Sequence, residues 1–136
     1  TRSSMVSWAR KMCIRDRHTI IPGMVIDKDN NATLSYGVMG GQYQPVGQVH
    51  VLNNMIDYGM GPQEALSFPR AFHFNNIYKL EKSVDNQIFN ELKEIGHNVE
   101  YIDGTHGGGQ AIKINRTEGD LLGGSDPRKD GYAKGY

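Results

Sequence analysis

The stretch LSYGVMGGQYQPVGQVHVLNNMIDY at residues 34–58 constrains the fold more than any other part of the sequence. An apolar run that is typical of a β-strand reaches the pair Gly40-Gly41, and a long helical pattern follows at once. Glycine lets the backbone turn tightly and leaves no side chain over the backbone N–H groups. A helix start adds N–H donors and the positive end of the helix dipole. Such a turn is suited to hold a phosphate, a carboxylate or the oxyanion of an acyl-transfer reaction.

The pattern after the glycine pair predicts a helix from about Gln44 to Tyr58. Pro45 fits its first turn, where a missing N–H has no cost. Four apolar residues recur at helical spacing and predict the core-facing side, namely Val49, Leu52, Met55 and Ile56. Gly59 and Pro62 then end the helix.

The remaining sequence predicts strands and short helices separated by turns. The predicted strands are residues 18–26, 32–38, 71–75, 77–80, 97–101 and 110–114, the first two forming a hairpin around DKDNN. A short helix is expected from Pro62 to Ser67, and a longer one over residues 84–95 with Ser83 as its N-cap. The apolar face of the longer helix is expected to hold Val84, Ile88, Leu92 and Ile95. With 17 glycines in 136 residues, the chain is better suited to a β-rich α+β domain than to a helical bundle.

Length and composition exclude several classes of protein. A chain of 136 residues is one domain at most. Its net charge of zero gives no support for binding to nucleic acid or to an anionic membrane. The single cysteine, Cys13, permits no internal disulfide, and no apolar run has the length of a membrane helix. No cysteine pair or tight cluster of histidine and acidic residues indicates a metal site.

Residues 1–17 differ from the rest of the chain in charge. They carry five basic residues and one acidic residue, a net charge of +4, whereas the whole chain is neutral. They have neither helical nor strand period, and no fold supports a nucleic-acid contact. We expect residues 1–17 to be a non-native or disordered tail and residues 18–136 to form the domain.

Four motifs in a fixed order carry a family resemblance. They are GVMGGQYQPVGQVHVLNNMIDYGMGPQEALSFPR at residues 37–70, ELKEIGHNVEYID at 91–103, GGGQAI at 107–112 and GGSDPRKDGYAKGY at 123–136. In this order they resemble the C-terminal part of the small subunit of the γ-glutamyltransferase family. The resemblance covers roughly His18 to Tyr136 and looks closest to the branch with G-G-Q-x-Q-P after the strand.

The resemblance implies an α+β fold that is part of the four-layer αββα sandwich of N-terminal-nucleophile hydrolases. It also implies a parent enzyme that transfers or hydrolyses a γ-glutamyl amide through an acyl-enzyme, without a cofactor. The nucleophile of the family is an N-terminal threonine freed by self-cleavage. Thr1 does not match that segment, so the nucleophile is expected upstream. The expected partners are therefore a small amide substrate and the missing upstream part of the precursor, and this chain alone is expected to be inactive.

The resemblance also assigns the candidate site residues. It implies that the backbone N–H groups of Gly40 and Gly41 form the oxyanion hole. His18 and Thr19 stand where the commoner branch has Ser-Ser, whose hydroxyls bind the α-carboxylate of the substrate. Thr19 keeps a hydroxyl for that contact and His18 adds a donor. Gln42, in the first turn, is a further candidate substrate contact.

Two alternatives stay open at this point. The departure from Ser-Ser favours an acylase of the same family that acts on a β-lactam side chain or another dicarboxylic amide. The absence of a convincing nucleophile favours a non-catalytic module that binds a small anion at Gly40-Gly41. In every case an isolated piece of a sandwich is expected to expose apolar faces and sheet edges, and thus to associate.

Overall fold

The structure, a computed structural model, describes residues 21–135. The expected tail at residues 1–17 and the candidate contacts His18 and Thr19 lie outside the described residues. In chain order the elements are β1 (Pro22–Ile26), β2 (Ala32–Met39), a 3-10 helix (Gly41–Tyr43), α1 (Gln44–Ile56), α2 (Pro62–Ser67), β3 (Ala71–Phe74), β4 (Ile77–Glu81), α3 (Asn86–Glu94), β5 (Val99–Ile102), β6 (Gly108–Asn115), β7 (Asp120–Ser125) and a second 3-10 helix (Pro127–Lys129). This mixture confirms the predicted α+β class.

The larger sheet has four antiparallel strands in the order β1-β2-β6-β7. Its first two strands are the predicted hairpin, and the turn between them is built on Asp27. The Asp27 carboxylate accepts hydrogen bonds from the backbone N–H groups of Asp29 and Asn31 at 2.9 and 2.8 Å. Asn30 completes the turn with a φ of 64°, a conformation that asparagine tolerates better than most residues.

Helices α1 and α2 cover one face of the four-stranded sheet, and the main core lies between them. The buried apolar residues of this core are Leu34, Val38, Tyr43, Val51, Ala65, Leu66 and Ala111. One helix layer on one sheet is half of the predicted four-layer sandwich. Among residues 21–135, no helix is long and apolar enough to cross a membrane.

Helix α1 begins at Gln44 as predicted, and the prediction of its core-facing side is right for Leu52 and Met55, which pack against the core. It is wrong for Val49 and Ile56, which are 58% and 61% exposed, whereas Val51 is fully buried. The reason is Gly47, where the helix comes close to the sheet. A Cβ at Gly47 would lie 2.7 Å from Cγ1 of Val38. This close approach turns the face of Gly47 and Val51 inward.

The second sheet has three strands in the order β3-β4-β5, with β3 and β4 antiparallel and β4 and β5 parallel. The turn at Asn75-Asn76 joins β3 to β4 as predicted, and both asparagines have positive φ, 52° and 60°. Helix α3 connects the parallel pair, as the parallel geometry requires. Its contact with this sheet includes Phe89, whose ring stacks on Tyr101 at a centroid distance of 4.6 Å.

One prediction about α3 was wrong. The N-cap is Asp85, not Ser83, because the Asp85 carboxylate accepts a hydrogen bond of 2.7 Å from the backbone N–H of Gln87. The predicted apolar face is only partly covered: Val84 and Leu92 are half-buried, whereas Ile88 and Ile95 are 48% and 74% exposed.

The outer face of the larger sheet carries exposed apolar side chains. The register places them on neighbouring strands, and they are Met24, Ile26, Met39, Ile112 and Leu121. Each is at least 46% exposed. An apolar sheet face of this kind is suited to pack against another layer, so the expectation that this chain associates in solution stays a prediction.

Candidate functional site

The candidate site is the turn that joins β2 to α1. Gly40 has φ 132° and ψ 27°, and Gly41 has φ 58°. Side chains disfavour such backbone angles, so the turn depends on both glycines. The N–H of Tyr43 donates to the carbonyl oxygen of Gly40 at 3.1 Å and closes the first helical turn. The pair thus stands at the N-terminal end of a helical segment of sixteen residues, from Gly41 to Ile56.

A second glycine loop packs against this turn. A Cβ built on Gly40 would lie 2.9 Å from the Cα of Gly107, which no real structure tolerates. Gly107 has φ 63°, and a Cβ there would overlap the carbonyl oxygen of Met39. The two backbones therefore touch directly, and only glycine at both positions permits it.

Tyr43 lies beneath the turn and is 3% exposed. Its ring stacks on the imidazole of His106 at 5.4 Å, and the edge of Phe72 meets it at 5.5 Å. The guanidinium carbon of Arg70 lies 5.8 Å from the ring centroid. Burial raises the pKa of the Tyr43 phenol to about 12, so this group stays neutral at physiological pH.

A buried network of four charged side chains lies below Tyr43. Arg70 and Asp126 form a 2.6 Å ion pair in which both side chains have no exposed surface. Arg128 makes a two-point contact with Glu81, from Nε to Oε1 at 2.9 Å and from Nη2 to Oε2 at 2.6 Å. Arg128 also reaches Asp126 at 3.2 Å, which links the two pairs. Buried charges of opposite sign arranged in this way satisfy one another.

The network holds the loop that precedes Gly107. Nη1 of Arg70 donates to the carbonyl oxygen of His106 at 2.8 Å, and the N–H of His106 donates to Glu81 Oε1 at 2.8 Å. Nε2 of His106 lies 2.9 Å from the carbonyl oxygen of Lys79. Because a carbonyl only accepts, this contact assigns the ring proton to Nε2. Arg70 and Glu81 therefore fix the backbone at His106, directly before Gly107.

The protonation state of Glu81 gives a pH-dependent prediction. Burial favours the neutral acid, but hydrogen bonds from Arg128, from the His106 N–H and from the Arg70 N–H outweigh it and lower the pKa of Glu81 below its ordinary value. A lowered folded-state pKa stabilises the fold above the ordinary glutamate pKa of about 4.3, and this stabilisation is lost as the pH falls through the lower value. We expect the free energy of unfolding to fall below about pH 4.3, and Glu81→Gln to flatten that fall.

Urea unfolding of both proteins at a series of pH values between 3 and 7 measures this effect. The free energy of unfolding at each pH is obtained by extrapolation to zero urea, with a slope of about 1–3 kcal/mol per molar urea. The control is Glu100→Gln, because Glu100 lies exposed on β5. If the free energy of unfolding of Glu81→Gln fell with decreasing pH as steeply as that of the unaltered protein, the role of Glu81 would be contradicted.

A cavity of about 410 Å3 opens beside the turn, on the side of Met39. Its lining is mainly apolar or glycine, and it consists of Ile21, Pro22, Gly37, Val38, Met39, Gln44, Gly108, Gly109, Gln110 and Lys129. This volume is in the range of small-molecule sites. The cavity thus offers space for a bound group next to Gly40.

His50 is half-buried and lies about two helical turns of α1 away from the Gly40-Gly41 turn. Its Nε2 is 3.3 Å from Nδ2 of Asn54, and its ring is 5.9 Å from that of Phe68. Burial, and then the positive charges of Arg70 and Arg128, lower its pKa. Within the part of the chain that the structure describes, no group of three or more His, Cys, Asp or Glu side chains is placed to hold a metal ion.

Comparisons with known proteins show the family of this chain. The family model described as Gamma-glutamyltranspeptidase matches residues 13–136. The chain belongs to the γ-glutamyltranspeptidase family. Two curated members resemble it over most of its length. The glutathione hydrolase-like YwrD proenzyme of Bacillus subtilis is 37% identical over 89% of this chain, and the oxamate amidohydrolase proenzyme of Klebsiella pneumoniae is 34% identical over 88%.

Solved structures of γ-glutamyltranspeptidase relatives share the fold. The cephalosporin acylase from Bacillus halodurans superposes with a TM-score of 0.79 at 38% identity, over 88% of this chain and 23% of that one. The γ-glutamyltranspeptidase from Pseudomonas nitroreducens, complexed with L-DON, has a TM-score of 0.77 at 25% identity, over 87% of this chain and 62% of that one. The chain spans 24% of the length of both curated relatives. Membership of this family of hydrolases and transferases is therefore shown, and the resemblance read from the motifs is confirmed.

The structure brings together part of the predicted site. Gly40 and Gly41 form the turn, and Gln42 is exposed on the 3-10 helix that follows. His18 and Thr19 lie outside the described residues. Sequence reasoning missed His106 and recognised Gly107 only as the first residue of the GGGQAI motif. The triple glycine at 107–109 was a visible signal, but only the fold shows that its first member touches Gly40.

Proposed function

We propose that this chain is the C-terminal part of a γ-glutamyltransferase or γ-glutamyl hydrolase, and that it supplies the oxyanion hole. The observation that carries the proposal is the Gly40-Gly41 turn between β2 and a helical segment, in a chain of this family. The proposed donors are the backbone N–H groups of Gly40 and Gly41. Donors fixed by a rigid backbone act without reorganisation as negative charge develops on the substrate oxygen.

The proposed reaction is acyl transfer through a threonine ester. The hydroxyl of an N-terminal threonine, outside this segment, attacks the carbonyl carbon of the substrate amide, and its own α-amino group takes the proton. The carbonyl oxygen becomes an oxyanion, which the turn stabilises. The C–N bond then breaks, the amine leaves with the proton, and an ester remains. Water or an acceptor amine attacks this ester and regenerates the threonine.

The proposed substrate contacts follow from the same resemblance. Thr19 and His18 would bind the carboxylate of the γ-glutamyl group, and Gln42 would line the site near the helix start. The cavity beside Met39 provides space for the acyl group. The rest of the longer precursor would be the chain's partner in the complete site.

A second candidate is a member of the family that acts on another amide, one that carries a carboxylate but no γ-glutamyl group. The observation in its favour is the similarity to proteins named cephalosporin acylase and oxamate amidohydrolase, at 38% and 34% identity. The His18-Thr19 pair in place of Ser-Ser supports the same candidate, because it changes the proposed contacts to the α-carboxylate.

A chimeric precursor tests both candidates. Residues 18–136 would replace the matching segment of the glutathione hydrolase-like proenzyme of Bacillus subtilis, and the unaltered proenzyme serves as control. The substrates are γ-glutamyl anilide, glutaryl anilide, which lacks the α-amino group, and oxamate. We expect self-cleavage of the chimera and release of aniline from the γ-glutamyl substrate.

Release from glutaryl anilide alone, or turnover of oxamate alone, would replace the γ-glutamyl proposal by the second candidate. A chimera that matures but turns over none of the three would leave only a small-anion binding role for the turn.

A further inference from the structure

Three glycines lie close to Tyr43. A Cβ at Gly47 would lie 2.5 Å from Cε1 of the ring, which leaves no room for a side chain, and one at Gly107 would lie 3.0 Å from Cδ1. A Cβ at Gly40 would lie 3.4 Å from the Cβ of Tyr43, an ordinary van der Waals distance. The ring therefore packs closely against α1 and the loop before β6, and the Cβ of Tyr43 lies next to the turn.

The remaining sides of the ring are held as well. His106 stacks on one face at an interplanar angle of 24°, and Phe72 meets the ring at 84°. The Arg70 guanidinium carbon is 5.8 Å from the ring centroid, and Arg70 is itself fixed by the fully buried pair with Asp126. A cation close to an aromatic ring adds attraction to the packing.

We propose that Tyr43 is a positioning residue that fixes the Gly40-Gly41 turn against Gly107 and His106. Its catalytic consequence rests on the proposed function, because it supposes that this turn binds the oxyanion. The contacts that carry this role are made by the ring itself, with Gly47, His106 and Phe72. Its backbone takes part directly, because the Tyr43 N–H bonds to the Gly40 carbonyl at 3.1 Å.

The Tyr43 amide hydrogen reports on the turn without any assay of activity. In the chain of residues 1–136, amide hydrogen exchange would be followed at position 43 and at Ala111, a buried residue of β6 that reports on general opening. We expect Tyr43→Leu to raise the ratio of exchange at position 43 to exchange at Ala111 by about tenfold, because the turn opens locally. Tyr43→Phe keeps the ring and should leave the ratio within about twofold.

Tyr36→Leu is the matched control, because Tyr36 is a half-buried tyrosine that packs against the same core and belongs to β2. It should change exchange at position 43 and at Ala111 together. An unchanged ratio in Tyr43→Leu, or an equal change in Tyr36→Leu, would overturn the proposal.

The chimera provides the catalytic readout. There Tyr43→Leu should lower kcat by about tenfold or more with little change in KM, because a displaced oxyanion donor weakens binding of the transition state and not of the substrate. Tyr43→Phe should restore kcat. A rise in KM alone would overturn the assignment. If the parent chimera cleaves no amide, the proposed function fails, and the exchange ratio still decides whether Tyr43 fixes the turn.

Discussion

Gly107→Ala is expected to destabilise the fold by about 3 kcal/mol or more, from strain at positive φ and from overpacking. The φ of 63° is unfavourable for alanine, and the new methyl group would overlap the carbonyl oxygen of Met39. Because that oxygen belongs to the backbone next to Gly40, no side chain can move aside to relieve the clash. The turn must shift instead, and the pairing of Met39 with Gly108 at the end of β2 must shift with it.

Gly59→Ala is the control that separates the clash from the strain. Gly59 has φ 68°, almost the value of Gly107, but a Cβ there would meet no atom within 4 Å. Gly59→Ala should therefore lower the free energy of unfolding only by the strain of alanine at positive φ, about 1–2 kcal/mol. Urea unfolding of the two variants measures the difference. Equal losses of stability would mean that the Gly107 loop does not support the turn.

Asp126→Asn is expected to lower the free energy of unfolding by about 3–5 kcal/mol, the range for breaking a buried ion pair by removing one partner. The change preserves the volume of the side chain but leaves the Arg70 guanidinium without its 2.6 Å counter-ion. Arg70 keeps hydrogen bonds to the carbonyl oxygens of Leu66 and His106, but its buried Nε has no hydrogen-bond partner among residues 21–135. A fully buried cation in that state is costly because it cannot be solvated.

Asp103→Asn is the matched control for a surface pair. Lys82 and Asp103 are 2.7 Å apart, but their side chains are 69% and 97% exposed. Solvent screens such a pair, so its loss should lower the stability far less than the loss of the buried pair. Chemical denaturation of the two variants compares them directly. A similar small loss in both would contradict the structural importance of the buried network.

The sequence predicts the elements whose signals are local. The turn at residues 27–31, the short helix Pro62–Ser67 and the turn at Asn75-Asn76 depend on proline, glycine and asparagine positions that are visible along the chain. The Gly40-Gly41 turn is predictable for the same reason, because a strand pattern, two glycines and a helix pattern adjoin. These features need no information about distant residues.

The parts that sequence reasoning missed depend on contacts between distant segments. The inward face of α1 is set by the approach of Gly47 to Val38, and periodicity alone misplaces Val49 and Ile56, which are exposed. Arg70 and Asp126 are 56 residues apart. Strand β7, Asp120–Ser125, contains two glycines and is not among the predicted strands, but its pairing with β6 makes it a strand. The strand propensity of single residues predicts the structure least well where pairing with a neighbouring strand decides it.

The measurement that tests the central claim most directly is amide cleavage by the chimera that carries Gly41→Ala, beside the same chimera with Gly59→Ala. Both glycines have similar φ, 58° and 68°, and a Cβ at either would meet no atom within 4 Å. The two variants should therefore lose similar stability and mature alike. If the Gly40-Gly41 turn binds the oxyanion, Gly41→Ala lowers kcat by about 10²-fold or more, and Gly59→Ala leaves it near that of the parent chimera. Equal kcat in both variants, with intact maturation, would contradict the assignment of the oxyanion hole.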